Sequence, residues 1–303
     1  MKRWVLAISI GLWGFLGTSV WAYTEMSVAN GGTVSGNVVL QGSKPAPLAY
    51  NLVTFPDPAY CGQVSTGTGW RLFDEFQVSK EGGLKNAVVL LEGIEAGKPF
   101  PVSSPQIMAK DCTFSPRVVV VQNKQTISVV NMDPIIHDVQ IYETAPFGTR
   151  VMSHRPLPMN PYHRGNKTGM HEHRPGRPLV DMIEFSHGRR IFFLECGFHA
   201  FMQVWGVAVN NPYYAVTDEN GHFTISEIPE GVYSLLAWHP GVHGLLQMQV
   251  VILGHKNLKT KFIFDAPPVH HDAHTTMVKH PKYGMNVFGK DLHIQPTHEI
   301  QAP

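Results

Sequence analysis

The sequence predicts an all-β protein built of two β-sandwiches. Short runs rich in β-branched residues recur between turn residues, as at 118–122 and 125–130 on either side of Asn123-Lys124. Asn220-Gly221 lies between two strand-like runs, which is the sequence sign of a tight hairpin. Finally, about 280 residues beyond the leader exceed one typical domain and suffice for two cores.

Taken in order, residues 1–22 read as an export signal. Lys2 and Arg3 form the charged start, an apolar middle follows, and Val20-Trp21-Ala22 is a small-residue cleavage site before Tyr23. The alternative is an uncleaved signal-anchor, because the apolar stretch nearly reaches spanning length. The expected location is therefore the periplasm. Residues 32–40 and 85–91 read as strands, and the polar, turn-rich stretch between them, with Lys44-Pro45-Ala46-Pro47 and Cys61, is expected to be largely irregular. Strands follow at short intervals from 107 to 142. Residues 145–188 then form an insertion without sustained periodicity, in which His154, His163, His171, His173 and His187 alternate with arginines. It reads as a solvated basic loop, a candidate lid or docking surface, with His171-x-His173 as a possible metal pair. Further strands are expected at 203–210, 213–225, 232–238, 246–253 and 259–264. The tail, 266–303, carries His270, His271, His274, His280, His293 and His298 among prolines and lysines, and is expected to be weakly ordered.

Charged residues make up 16% of the chain and the net charge is +1, so there is no electrostatic case for nucleic acid or an acidic membrane surface as partner. The 17 histidines are the unusual feature. Cysteine number is informative too: three, an odd count, suggests outside the cytoplasm one pair and one thiol with another task.

That thiol stands in Leu194-Glu195-Cys196-Gly197-Phe198-His199-Ala200-Phe201-Met202, where a thiolate, an imidazole and a thioether follow at Cys-x2-His-x2-Met spacing. A strand can deliver Cys196, a tight loop can turn back His199, and Met202 can open the next strand. The fourth donor must come from a neighbouring strand, and His137 in Asn131-Met132-Asp133-Pro134-Ile135-Ile136-His137 is placed to supply it. Two imidazoles, a thiolate and a weak axial sulfur are the donor set of a blue-copper electron-transfer site. If Cys196 holds metal, Cys61 and Cys112 are left to each other, and their disulfide would close a loop worth roughly 4 kcal/mol in the entropy picture; the alternative is two unpaired buried thiols.

Residues 114–137 resemble the first half of a small cupredoxin, and 189–210 the second, with Cys-Gly-Phe-His-Ala-Phe-Met most similar to the short ligand loop of amicyanins. The resemblance implies a Greek-key sandwich over 106–210 holding one type 1 copper through His137, Cys196, His199 and Met202. Asn131, Asp138, Gly197 and Phe201 are expected to surround these ligands. Many cupredoxins carry an asparagine after the first histidine, bonded toward the residue after the cysteine; here those positions are Asp138 and Gly197, which bears on the potential. The pattern Thr-Asp-x-x-Gly-x-Phe-x-Ile and Ile-Pro-x-Gly-x-Tyr-x-Leu at 217–235 resembles the carboxypeptidase regulatory-like (transthyretin-like) sandwich. Its opening strands lie early, so the module is expected at 32–98 and 211–265 with the copper domain nested between; tandem domains are the alternative. Exported methylamine-utilisation-like or plastocyanin-like bacterial proteins combine these modules.

The resemblance implies a one-electron carrier rather than an enzyme. Its partner would be a transient redox protein, a cytochrome or a copper or quinone enzyme, with association to a membrane complex as a further possibility. His199 is expected to reach the surface as electron port, inside an apolar collar of Phe198 and Phe201; the alternative for these rings is packing that excludes water. The rivals are a copper oxidase or reductase, for which only one His-x-His pair is legible, a copper-storage or delivery protein, and an assembly subunit.

Overall fold

The computed structural model describes residues 23–62, 69–145, 148–165, 171–172, 174–185, 190–242 and 244–267. Residues 1–22, read above as an export signal, His173, His187 and the histidines of the tail lie outside them. Among the described residues no helix is long and apolar enough to cross a membrane, and the architecture is all-β, two sandwiches side by side.

The first sandwich faces a five-stranded sheet against a four-stranded one. The larger sheet runs Gly148–Leu157, His137–Ala145, Ile191–Cys196, Gln203–Val209, Val118–Gln122; the smaller runs Leu179–Met182, Thr126–Asn131, Gln106–Lys110, Thr113–Ser115. Alternation fixes which side faces in: along Ile191–Cys196 the residues Phe192, Leu194 and Cys196 are buried and their neighbours are not. They meet Ile107, Phe114, Ile127 and Val139 in one core. Two pairings are parallel, Gln203–Val209 with Val118–Gln122 and Thr126–Asn131 with Gln106–Lys110. Parallel neighbours require the chain to cross between sheets, not turn back on itself.

The described parts of the insertion hold strands that its sequence does not suggest. Gly148–Leu157 pairs along His137–Ala145, and Leu179–Met182 pairs with Thr126–Asn131. Both are outermost strands of their sheets with many exposed side chains, so neither needed the apolar alternation by which a strand is recognised.

The second sandwich faces Tyr214–Val216, Val88–Glu92, Gly231–Trp238, Leu246–Ile252 against His222–Ile228, Gly32–Gln41, Asn257–Asp265. Strands that precede the first sandwich in sequence thus bond to strands that follow it. The Asn220-Gly221 turn does not make a hairpin, because Tyr214–Val216 and His222–Ile228 belong to opposite sheets. Asp218 shapes it instead, its Oδ1 accepting from the amides of Asn220 and His222 at 2.9 Å each. Gly221 is needed there, at φ +75° and with Val38 O only 2.3 Å from where a Cβ would sit.

The sandwiches share an apolar joint. Val118, Val120, Val207 and Val209 of the first meet Val88, Leu90, Leu236 and Trp238 of the second, which explains why Val118–Gln122 is buried on both faces. Trp238 is therefore packing, with its ring centroid 6.2 Å from that of Trp205.

The stretch expected to be irregular holds a small hairpin-like pair, Leu48–Asn51 with Trp70–Phe73, and two short helical turns, Leu52–Thr54 and Pro58–Cys61. It does not stay with the second sandwich: Leu52 and Cys61 are buried in the core of the first.

Candidate metal centre

The ligand loop is folded by its own backbone. His199 N donates to Cys196 O at 3.1 Å, Met202 N to His199 O at 2.8 Å, and Cys196 N to Met202 O at 3.1 Å. These bonds wrap residues 196–202 around one point, at the end of a strand whose register sets Cys196 opposite Val139, two residues past His137. Cys196 Sγ then lies 3.7 Å from His137 Nδ1 and 3.6 Å from His199 Nδ1. The three donor atoms fall within 4.8 Å of one another. Met202 is fully buried in the same core.

Both outer ring nitrogens are already engaged. His137 Nε2 donates to Asp133 Oδ2 at 3.0 Å, and His199 Nε2 to Pro56 O at 3.0 Å. Each imidazole is thereby oriented with Nδ1 toward the thiol, the arrangement a metal requires of its histidines. A soft thiolate and two imidazoles, dry and pre-oriented, fit copper.

The protein's own charges support the thiolate. Burial would raise the Cys196 thiol, but hydrogen bonds with His137 and His199 and from the Asp138 amide, 3.3 Å from Sγ, bring it down to about 6. Burial would likewise lower His137, yet the bonds to Asp133 and Cys196 raise it to about 9. Asp133, against the opposing effect of burial, is held below the ordinary carboxylate range by His137, the Cys112 amide and Tyr60.

Asp133 and Pro56 were not expected as supports. Asp133 is fully buried and accepts from His137, from Tyr60 Oη at 3.0 Å, and from the amides of Asp111 and Cys112 at 2.7 and 3.0 Å. The only hint was its place four residues before His137.

The surroundings that were expected are present with altered roles. Asn131 clamps the approach to His137, its Nδ2 donating to Ile135 O and Pro158 O at 2.8 Å each and its Oδ1 accepting from Asp133 N at 2.9 Å. Asp138 meets Gly197 through the backbone, Gly197 N donating to Asp138 O at 2.8 Å. Its carboxylate turns to Gln140 Nε2 at 2.7 Å and His154 Nε2 at 3.0 Å. Gly197 leaves no space for more: a Cβ would sit 2.2 Å from Gln140 Nε2 and 2.4 Å from Asp138 Oδ2.

His199 does not reach the surface. It is 0% exposed, beneath Pro56 and with Nε2 3.5 Å from Cys61 Sγ. Cys61 is joined to Cys112 in a disulfide, leaving Cys196 the free cysteine. Of the expected collar, Phe198 is 41% exposed, whereas Phe201 is buried among Tyr50 and Phe55 under the Arg71 guanidinium. Phe201 thus plays the packing role. Of the insertion's histidines, His154 holds Asp138 and His163 stands edge-on to Tyr60.

Residues 204–259 match the family model described as polysaccharide lyase family 4, domain II. No match is found among curated proteins. Among solved structures, the chain is similar to a purple cupredoxin from Nitrosopumilus maritimus, with 14% identity and a TM-score of 0.25 over 35% of this chain and 100% of that one. It is similar to a Cu-containing nitrite reductase from Thermus scotoductus, with 13% identity and a TM-score of 0.25 over 37% of this chain and 24% of that one. Amicyanin from Paracoccus versutus gives 13% identity and a TM-score of 0.23 over 40% and 97%. At these scores the likenesses decide nothing about chemistry.

Proposed function

We propose that the chain is a periplasmic one-electron carrier, not an enzyme, with one type 1 copper held by His137, Cys196, His199 and Met202. The observation that carries this is the buried thiol with two imidazole Nδ1 atoms at 3.7 and 3.6 Å, each ring locked from behind. Copper bound there would supply a Cu(II)/Cu(I) couple. The chain's part is to hold the ligands still: Cys196 by its ladder, His137 by Asp133, His199 by the Pro56 carbonyl. Burial of all four side chains excludes water. The disulfide supports an oxidising compartment outside the cytoplasm, in keeping with residues 1–22 read as an export signal. In this reading the second sandwich is of carboxypeptidase regulatory-like type and serves assembly, and the redox partner is a cytochrome or a copper or quinone enzyme bound transiently.

The test is a visible and EPR spectrum of protein starting at Tyr23, given one equivalent of Cu(II), beside Cys196→Ser. An intense red-region band with narrow hyperfine splitting, both lost in the variant, is expected. Pale copper indifferent to the substitution would refute the reading.

A further inference from the structure

We propose that residues 51–62 form a tethered lid governing the exchange of metal at the His137, Cys196, His199 centre; this rests on the metal-binding reading above. The centre is closed on the sides built by the sandwich, where Cys196 sits in the sheet, His137 is backed by Asp133, and Phe201 and Met202 fill the core. Over His199 the cover is one layer thick. Pro56, whose carbonyl binds His199, is itself exposed, as are Thr54, Asp57 and Ala59.

Ladder bonds hold only the start of this cover, where Asn51 pairs with Trp70 and Leu52 N donates to Gly69 O at 2.8 Å; beyond Leu52 it lacks the ladder that holds the other walls. Its internal bonds are those of two short turns, with Tyr60 N and Cys61 N donating to Asp57 O. What keeps it down is Leu52, buried in the core of the first sandwich, and a handful of side-chain anchors. Phe55 packs on Phe201 with ring centroids 5.2 Å apart, Tyr60 Oη donates to Asp133 Oδ1, and the disulfide ties Cys61 to Cys112. Both histidines are engaged, His199 by direct contact and His137 through Asp133. Local opening of such a segment costs less than opening the sheets, so it is the door through which an ion passes.

The test compares the metal-free protein having its disulfide with Cys61→Ala/Cys112→Ala, mixing each with Co(II) and following the thiolate-to-cobalt absorption, then withdrawing the ion with excess EDTA. Uptake and release at least about tenfold faster without the tether are expected, the factor given by about 1.4 kcal/mol less opening cost. Amide exchange in Ile191–Cys196 and His137–Ala145 should be unchanged, which separates a freed lid from a loosened sandwich. Tyr60→Phe, with the disulfide intact, should accelerate exchange to a smaller extent and carries the comparison if the double variant does not fold. Equal rates in all proteins would overturn the lid and place entry on the exposed Phe198 side. No cobalt absorption in any of them would overturn the metal centre itself.

Discussion

Replacing Asp133 by alanine removes the acceptor that joins the metal centre to the loops around it. The side chain is fully buried and receives four hydrogen bonds, from His137 Nε2, Tyr60 Oη and the amides of Asp111 and Cys112. Bonds to a charged group are worth about 1.5–3 kcal/mol each, but they share one carboxylate and do not add. The better guide is the loss of one partner from a buried pair, about 3–5 kcal/mol. Asp133→Ala is therefore expected to cost about 4 kcal/mol, a large share of the roughly 5–15 kcal/mol by which domains are stable. Urea unfolding of the metal-free protein at neutral pH, followed by tryptophan fluorescence, measures it. Asp133→Asn keeps the shape without the charge and should lose about half as much. It should also lose part of the acid response. Because the folded carboxyl lies below its unfolded value, its contribution is complete above the ordinary carboxylate range and disappears as pH falls through the folded value. A loss below about 1 kcal/mol in Asp133→Ala would refute the argument, since surface carboxylates alone behave so.

His239 supplies a second acid response, since burial and the nearby Arg117, against a backbone bond with Lys85, lower it to about 4. The unfolded chain takes the proton first, so stability should fall by about 3 kcal/mol between pH 6.5 and 4, and His239→Phe, stacking on Phe76, should flatten that slope in urea melts. Gly206→Ala would put a Cβ 1.9 Å from the buried Phe192 ring; a loss of about 1–3 kcal/mol is expected from overpacking, read by the shift in thermal midpoint. Trp238→Ala should loosen the joint between the sandwiches and cost about 3–5 kcal/mol, visible in calorimetry as a lowered or divided transition.

What was legible in the sequence was local or arithmetical. Cys196, His199 and Met202 lie within seven positions, so their spacing already contains the geometry of a loop returning on itself. The pairing of Cys61 with Cys112 followed from assigning Cys196 elsewhere. The supports of the histidines could not be read in this way. Pro56 acts through a backbone carbonyl, which any residue possesses, on a ring 143 positions later. Similarly, Gly148–Leu157 is a strand because His137–Ala145 offers it an edge, not because its own side chains alternate. Asn220-Gly221 misled for a related reason: the dipeptide specifies a turn, while which sheet the next strand joins is decided by the core behind Phe223 and Ile225.

The path of the chain gives the second sandwich a reason to be there. Gly32–Gln41 and Val88–Glu92 both belong to it, and the connection between them leaves it to cross the mouth of the first sandwich. On that connection lie Pro56 on His199, Tyr60 on Asp133, and Cys61 in the disulfide. A cover only two short turns thick cannot bury enough apolar surface to hold itself in place. Beside it Leu48–Asn51 pairs with Trp70–Phe73, whose Arg71 donates to Cys112 O and Thr113 Oγ1 of the first sandwich, while the far ends of the whole connection are strands of the second core, docked to the first through Val118, Val120, Leu236 and Trp238. Movement at the joint would pull on the outer ends of the connection that carries the cover over His199. The metal centre is thereby linked, through its cover, to an interface that contains none of its ligands.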